Sequence, residues 1–274
     1  LAVGTRLQDF TTGSWGLFAN PERTTIGLNV QAYDADKHGQ MPLMADARVG
    51  LEELTAALGD HAADAPAPSA KADWFEKVDA LTNAPDGNAL PTDMQVVGAV
   101  QRGAQDNTVV MCAAGTMPGE LHKLWKADKP MSYHMEYGFS CMGYEIAGAI
   151  GIKMADPDRD VICFTGDGTY MMANSEMATA AMMGIDFTVV ITDNRGFGCI
   201  NRLQMGTGGE EFNNLLDHAV HENPSQIDFA KHAEAMGATS LKVSSITELE
   251  DALANRHAVK GPYVVVIATA PYPS

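Results

Sequence analysis

Short, nearly unbroken apolar runs recur along the second half of the chain, separated by longer stretches whose apolar positions fall at helical spacing. The runs Val161–Phe164 and Phe187–Ile191 read as buried strands, and Thr108–Met111, Ser240–Val243 and Tyr263–Ala268 as further strands. Between them, helices are expected over Asp93–Arg102, roughly Ala173–Met183 and Ile227–Met236, and from a capping box of Thr247 with Glu250 to about His257. Ala113–Gly119 reads as a loop, followed by a helical turn near Leu121–Trp125. The glycine-rich stretch Met135–Gly151 carries a further helix before the strand at Val161. Strands alternating with helices predict an α/β fold with a doubly wound parallel sheet over 91–274.

The first part of the chain is different. Leu1–Val3, Thr25–Leu28 and Pro42–Ala45 read as short strands, and Asp46 as the N-cap of a helix over Ala47–Leu58. Residues 1–58 hold too few strands for a complete domain and are expected to be the C-terminal part of an α/β unit. Residues 59–90 read as a linker rich in Ala, Asp and Pro over 59–70, then a helix Lys71–Leu81 with Trp74, Phe75 and Val78 on one face, then loop. A first residue other than Met leads us to expect a piece of a longer protein.

Composition narrows the class of partner. A formal charge of -17 and a pI near 4.7 argue against nucleic acid and anionic membranes, and no apolar run reaches membrane-spanning length. Cys112, Cys141, Cys163 and Cys199 lack Cys-x-x-Cys or zinc-like spacing, so a reducing cytoplasmic setting is expected.

The candidate chemistry lies just after two of the strands. Gly166-Asp167-Gly168-Thr169 follows the Val161 run, and Asp193-Asn194-Arg195-Gly196 follows the Phe187 run. This places Asp167 and Asn194 at the carboxyl ends of parallel strands, where open α/β sheets bind ligands. A carboxylate and an amide oxygen suit Mg²⁺, while a glycine turn brings backbone amides close to phosphates. Asp between glycines is by itself an ordinary turn; its strand-turn-helix-strand setting lifts it above that reading.

At these residues the chain resembles the thiamine diphosphate-dependent enzymes, whose cofactor motif opens with Gly-Asp-Gly and closes with Asn. The resemblance implies that Asp167 and Asn194, with the Gly196 carbonyl, bind Mg²⁺. It further implies that Gly166, Gly168, Thr169 and Phe197 surround thiamine diphosphate, that Gly115 and Met117 approach the diphosphate, and that the Ser140 carbonyl accepts from the aminopyrimidine. Met142 falls where the family keeps an apolar residue beneath the cofactor, between its rings.

Four further blocks narrow the resemblance to the branch that opens a cyclic 1,2-diketone in myo-inositol breakdown. They are Val3–Thr12, Ala113–Gly119, Tyr133–Glu145 and Gly196–Asn201. The expected reaction is hydrolysis of the carbon–carbon bond between the carbonyls, from trihydroxycyclohexane-1,2-dione to 5-deoxy-glucuronate. His134 and Glu136 flank the cofactor segment and are the candidate proton carriers; a structural histidine and a helix-capping glutamate are the plain alternatives. The family supplies its activating glutamate from a pyrimidine domain of a neighbouring subunit, so a homo-oligomer is expected, and these residues alone are expected to be inactive. An acetolactate-synthase-like carboligase or decarboxylase, and a non-catalytic thiamine-fold module, are the alternatives.

Overall fold

The computed structural model describes residues 1–62, 69–83, 85, 87, 89–136 and 138–271. Part of the expected linker, 63–68, lies outside the described residues. The chain divides into two compact units, Leu1–Pro68 and Ser69–Ser274.

The first unit is a three-stranded parallel sheet of β1 (Ala2–Val3), β2 (Ile26–Asn29) and β3 (Met41–Met44), with β2 in the middle. Helices α1 (Asp9–Thr12), α2 (Ala32–Asp36) and α3 (Ala47–Leu58) belong to it. Asp46 caps α3 as expected, its carboxylate accepting from the amides of Arg48 and Val49. β3 is exposed along its whole length.

The second unit opens with α4 (Ser69–Thr82) and α5 (Asp93–Gly103), then β4 (Thr108–Cys112), α6 (Thr116–Leu124) and β5 (Tyr133–Met135). There follow α7 (Tyr144–Ala155), β6 (Asp160–Gly166), the single turn α8 (Asp167–Tyr170), α9 (Glu176–Met183) and β7 (Phe187–Asp193). It ends with α10 (Gly198–Gly206), α11 (Phe229–Ala235), β8 (Thr239–Val243), α12 (Ile246–Ala254) and β9 (Pro262–Ala268).

Its six strands are all parallel, in the order β5-β4-β6-β7-β9-β8. Alternate residues of the central strands feed two cores. Val110, Ile162, Phe164, Val190 and Val265 pack with α5, α6 and α12, whereas Met111, Val161, Cys163, Val189 and Val264 pack with α7, α9 and α11. Helices cover both faces, so the doubly wound sheet is confirmed.

Three expectations are corrected. Thr116–Leu124 is a helix where a loop was expected, because Pro118 falls in its first turn, where no amide is needed. The cap of α12 is Ser245, not Thr247: its hydroxyl accepts from the Glu248 amide at 3.1 Å, a frame that buries Ile246. The helix expected from Ala173 begins at Glu176, with α8 a separate turn before it. Strand β5 and helix α10 had no clear signal in the sequence. β5 is three residues long at the sheet edge, and the apolar residues Ile200 and Leu203 of α10 are exposed.

Candidate active site

The strand order reverses between β4 and β6, which opens a crevice at their carboxyl ends. Gly115 ends the β4 side with a φ of +106°, and a Cβ placed on it would lie 4.0 Å from Thr169 Oγ1. No side chain caps α6, so its first-turn amides, including that of Met117, have no side-chain acceptor at the cap. The Met117 side chain itself is 3% exposed and packs in the core.

On the β6 side Asp167 is 4% exposed. Its Oδ2 accepts from the Gly196 amide at 2.8 Å, tying the two motifs together. Burial first, then the neighbouring Asp193 charge, push the Asp167 carboxyl up to about 7. Two buried oxygens in this corner, Asp167 Oδ1 and Asn194 Oδ1, have no hydrogen-bond partner. Unpaired buried acceptors are costly, and their convergence at two strand ends calls for a cation or donor to complete them.

The loop after β7 is built to present backbone. The Asp193 side chain accepts from the Arg195 amide, and Arg195 is held by Asp217 through its Nε at 2.9 and 3.1 Å. A strap after α10 locks the turn: Phe197 donates its amide to the Asn214 carbonyl and Leu216 to that of Arg195, both at 2.8 Å. Neither bond uses the Gly196 carbonyl. Asn214 is in turn held by Gln204 at 2.7 Å. Phe197 lies close over Gly168: a Cβ there would sit 2.8 Å from the ring.

The remaining expected residues lie on the segment before α7. Ser140 has a φ of +53° and Met142 is half-buried in the turn that enters the helix. Glu136 accepts from the amides of Phe139 at 3.1 Å and Cys141 at 2.7 Å, and its bond from Cys141 above all holds its carboxyl below the usual range. It therefore clamps the loop that carries Ser140. His134, at the end of β5, exchanges a 2.9 Å hydrogen bond with the Tyr144 hydroxyl, with the two rings stacked.

The sequence reading did not single out Glu145 as a functional residue, although it is 1% exposed and bonds to amides of two separate loops. Its only signal was a lone carboxylate opening the apolar run Ile146–Ile152. Among the described residues no three His, Cys, Asp or Glu side chains cluster as a metal site. The donor set at Asp167 and Asn194 has instead one carboxylate and one amide oxygen without partners. Such hard oxygens fit Mg²⁺ with a diphosphate as co-ligand.

Comparison with known proteins defines the class. Residues 113–267 match the family model for the thiamine pyrophosphate enzyme C-terminal TPP binding domain. The chain belongs to this family. The structure superposes with a TM-score of 0.73 on the Rhodococcus jostii RHA1 thiamine diphosphate-dependent 4-hydroxybenzoylformate decarboxylase, at 19% identity, over 90% of this chain and 44% of that one. At that identity the likeness concerns the fold.

More particular relatives are named 3D-(3,5/4)-trihydroxycyclohexane-1,2-dione hydrolase. The one from Geobacillus thermodenitrificans is 38% identical over 92% of this chain and 44% of its own length. That from Clostridium perfringens is 36% identical over 99% of this chain and 47% of its own length. The chain thus spans somewhat under half of the curated relatives it matches, and corresponds to their C-terminal part.

Proposed function

We propose that the protein carrying this chain is a Mg²⁺- and thiamine diphosphate-dependent hydrolase of a cyclic 1,2-diketone. It would convert trihydroxycyclohexane-1,2-dione to 5-deoxy-glucuronate in myo-inositol degradation. The observation that carries the reading is the pair of buried, unpartnered oxygens on Asp167 and Asn194, in a chain whose relatives bear that hydrolase name. Asp167 and Asn194 would hold Mg²⁺ together with the Gly196 carbonyl.

Gly166, Gly168, Thr169 and Phe197 would line the cofactor, the amides after Gly115 would meet the diphosphate, and Met142 and Ser140 would lie along its rings. Bound there, thiamine diphosphate supplies a nucleophilic thiazolium carbon that accepts the electrons released when a bond beside a carbonyl breaks. The chain's own contribution is to hold the cation that would neutralise the diphosphate and to orient the diphosphate through backbone amides. A divalent cation would keep Asp167 ionised by opposing the burial and the Asp193 charge that raise its pKa.

His134 is the proposed proton carrier at the substrate, oriented by Tyr144. Glu136, with both oxygens engaged by loop amides, supports the site by holding the Ser140 loop. The activating glutamate and the rest of the pocket would come from the pyrimidine domain of a neighbouring subunit in a homo-oligomer. A cytoplasmic setting is proposed because none of the four cysteines is in a disulfide. Among the described residues no helix is long and apolar enough to cross a membrane.

Calorimetric titration of the full-length protein with thiamine diphosphate, with and without Mg²⁺, tests the cofactor part. Binding should require Mg²⁺ and be lost in Asp167→Ala. Assay with the cyclic diketone and with pyruvate then tests the reaction. Turnover of pyruvate with none of the diketone would replace the hydrolase by a carboligase or decarboxylase.

A further inference from the structure

Glu145 is a buried carboxylate that the site as described leaves unused. It is the second residue of α7, at 1% exposure, and among the described residues no cation is paired with it. Each of its oxygens instead accepts from a backbone amide on a different loop. Oε1 receives Ala114, in the turn that leaves β4, at 3.3 Å, and Oε2 receives Gly143, the N-cap of α7, at 2.9 Å.

Both loops press on the same short segment. Gly115, next to Ala114, faces Thr169 of the Gly-Asp-Gly-Thr turn. A Cβ on Gly143 would meet Ala173 at 3.0 Å and Met172 at 3.5 Å, just beyond α8. One side chain therefore joins the two walls of the crevice around residues 166–173, and at Gly143 the contact leaves little slack. A buried charge without a counter-ion is expensive, and burial does push the Glu145 carboxyl up. Apolar α/β cores do not need such a group for stability.

We infer that Glu145 is a positioning residue for cofactor binding: as a double acceptor it sets the separation of the Ala114–Gly115 and Gly143 loops on either side of the Asp167 turn. The inference rests on the thiamine diphosphate reading of the site. Its chemistry is specific to a carboxylate. A glutamine has one acceptor oxygen, and its NH₂ would face one of the two amide N–H groups donor to donor.

The test is thiamine diphosphate binding to the full-length protein at saturating Mg²⁺, followed by calorimetry, for the parent and Glu145→Gln. The variant is expected to bind the cofactor at least tenfold more weakly, with kcat at saturating cofactor within about threefold of the parent. That split separates positioning of the cofactor from loss of folded protein, which would lower kcat and leave affinity unchanged. Should Glu145→Gln not fold, Glu145→Asp keeps the charge but is too short to reach both amides, and the same weakening is expected. Cofactor affinity equal to the parent's in whichever variant folds overturns the inference. A parent that fails to bind thiamine diphosphate overturns the proposed function instead.

Discussion

Gly196 meets three demands with a single residue. Its amide donates to Asp167, its φ is +146°, and its Cα faces the Asn214–Leu215 backbone so closely that a Cβ would overlap the Asn214 carbonyl oxygen. Gly196→Ala is expected to cost roughly 2 kcal/mol or more, from the strained φ and the displaced strap. It should also raise the Mg²⁺ half-saturation on the order of tenfold. Gly151→Ala, on α7 where a Cβ meets nothing within 4 Å, should be neutral or stabilising by up to about 1 kcal/mol. Urea unfolding of both variants, with Mg²⁺ titration of the first, checks the contrast. The Gly-Asp-Gly spacing made the motif visible in the sequence. What Gly196 packs against was not visible, because Asn214 and Leu215 arrive through a strap with no regular pattern.

Among the elements, the start of β6 is anchored by an ion pair inside the unit. Arg256, just after α12, donates to both oxygens of Asp160 at 3.1 and 2.7 Å, and also to the carbonyls of Leu253 and Gly103. Burial acts to raise the Asp160 pKa, yet the bonds from Arg256 and Thr108 hold it below the usual carboxylate value. The pair ties β6, α12 and the end of α5 at the amino-terminal end of the strands, opposite the crevice. Removing one partner of such a buried pair strands the other charge, so Arg256→Met should cost about 3–5 kcal/mol. Arg256→Met combined with Asp160→Asn should recover a large part of that loss. Chemical denaturation of the two variants gives the comparison, and equal stability of single and double variants would refute it. Regular elements of this kind were largely readable: α3 and α5 were bounded to within a residue because their caps and apolar spacing agree. Their anchoring arginine was not, since 96 residues separate it from Asp160.

For the molecule as a whole, acidity dominates: a formal charge of -17 with two acidic groups held protonatable near neutrality. Asp93, 7% exposed at the start of α5, has its carboxyl raised to about 6 by burial first; the nearby Thr269 hydroxyl opposes this, Glu120 adds to it and Arg202 lowers it. The folded state thus binds a proton that the unfolded chain, with the ordinary value of 3.8, has already released between those two values. On this account folding stability falls as pH rises from about 4 to about 6 and stays lower above that. Asp93→Asn should flatten this part of the profile and stabilise the protein at pH 8 by on the order of 1–3 kcal/mol. Urea midpoints at pH 5 and pH 8 measure it; a variant less stable than the parent at pH 8 would show that the Asp93 charge is needed for packing.

The order of strands and helices in the second unit, the Gly-Asp-Gly and Asn-Arg-Gly turns at two strand ends, and membership of the thiamine diphosphate enzymes were all legible in the chain. Each is a local matter of periodicity, turn chemistry or short motif, which neighbouring residues encode. Folding in three dimensions settled other matters. It brought Asp167 to the Gly196 amide across 29 residues, left one oxygen of Asp167 and one of Asn194 without partners, and turned Glu136 into a loop clamp. It also set Glu145 between two loops that are 29 residues apart in the chain. These depend on strand order and on which polar groups remain unpaired after the core closes, and no local window of sequence records either.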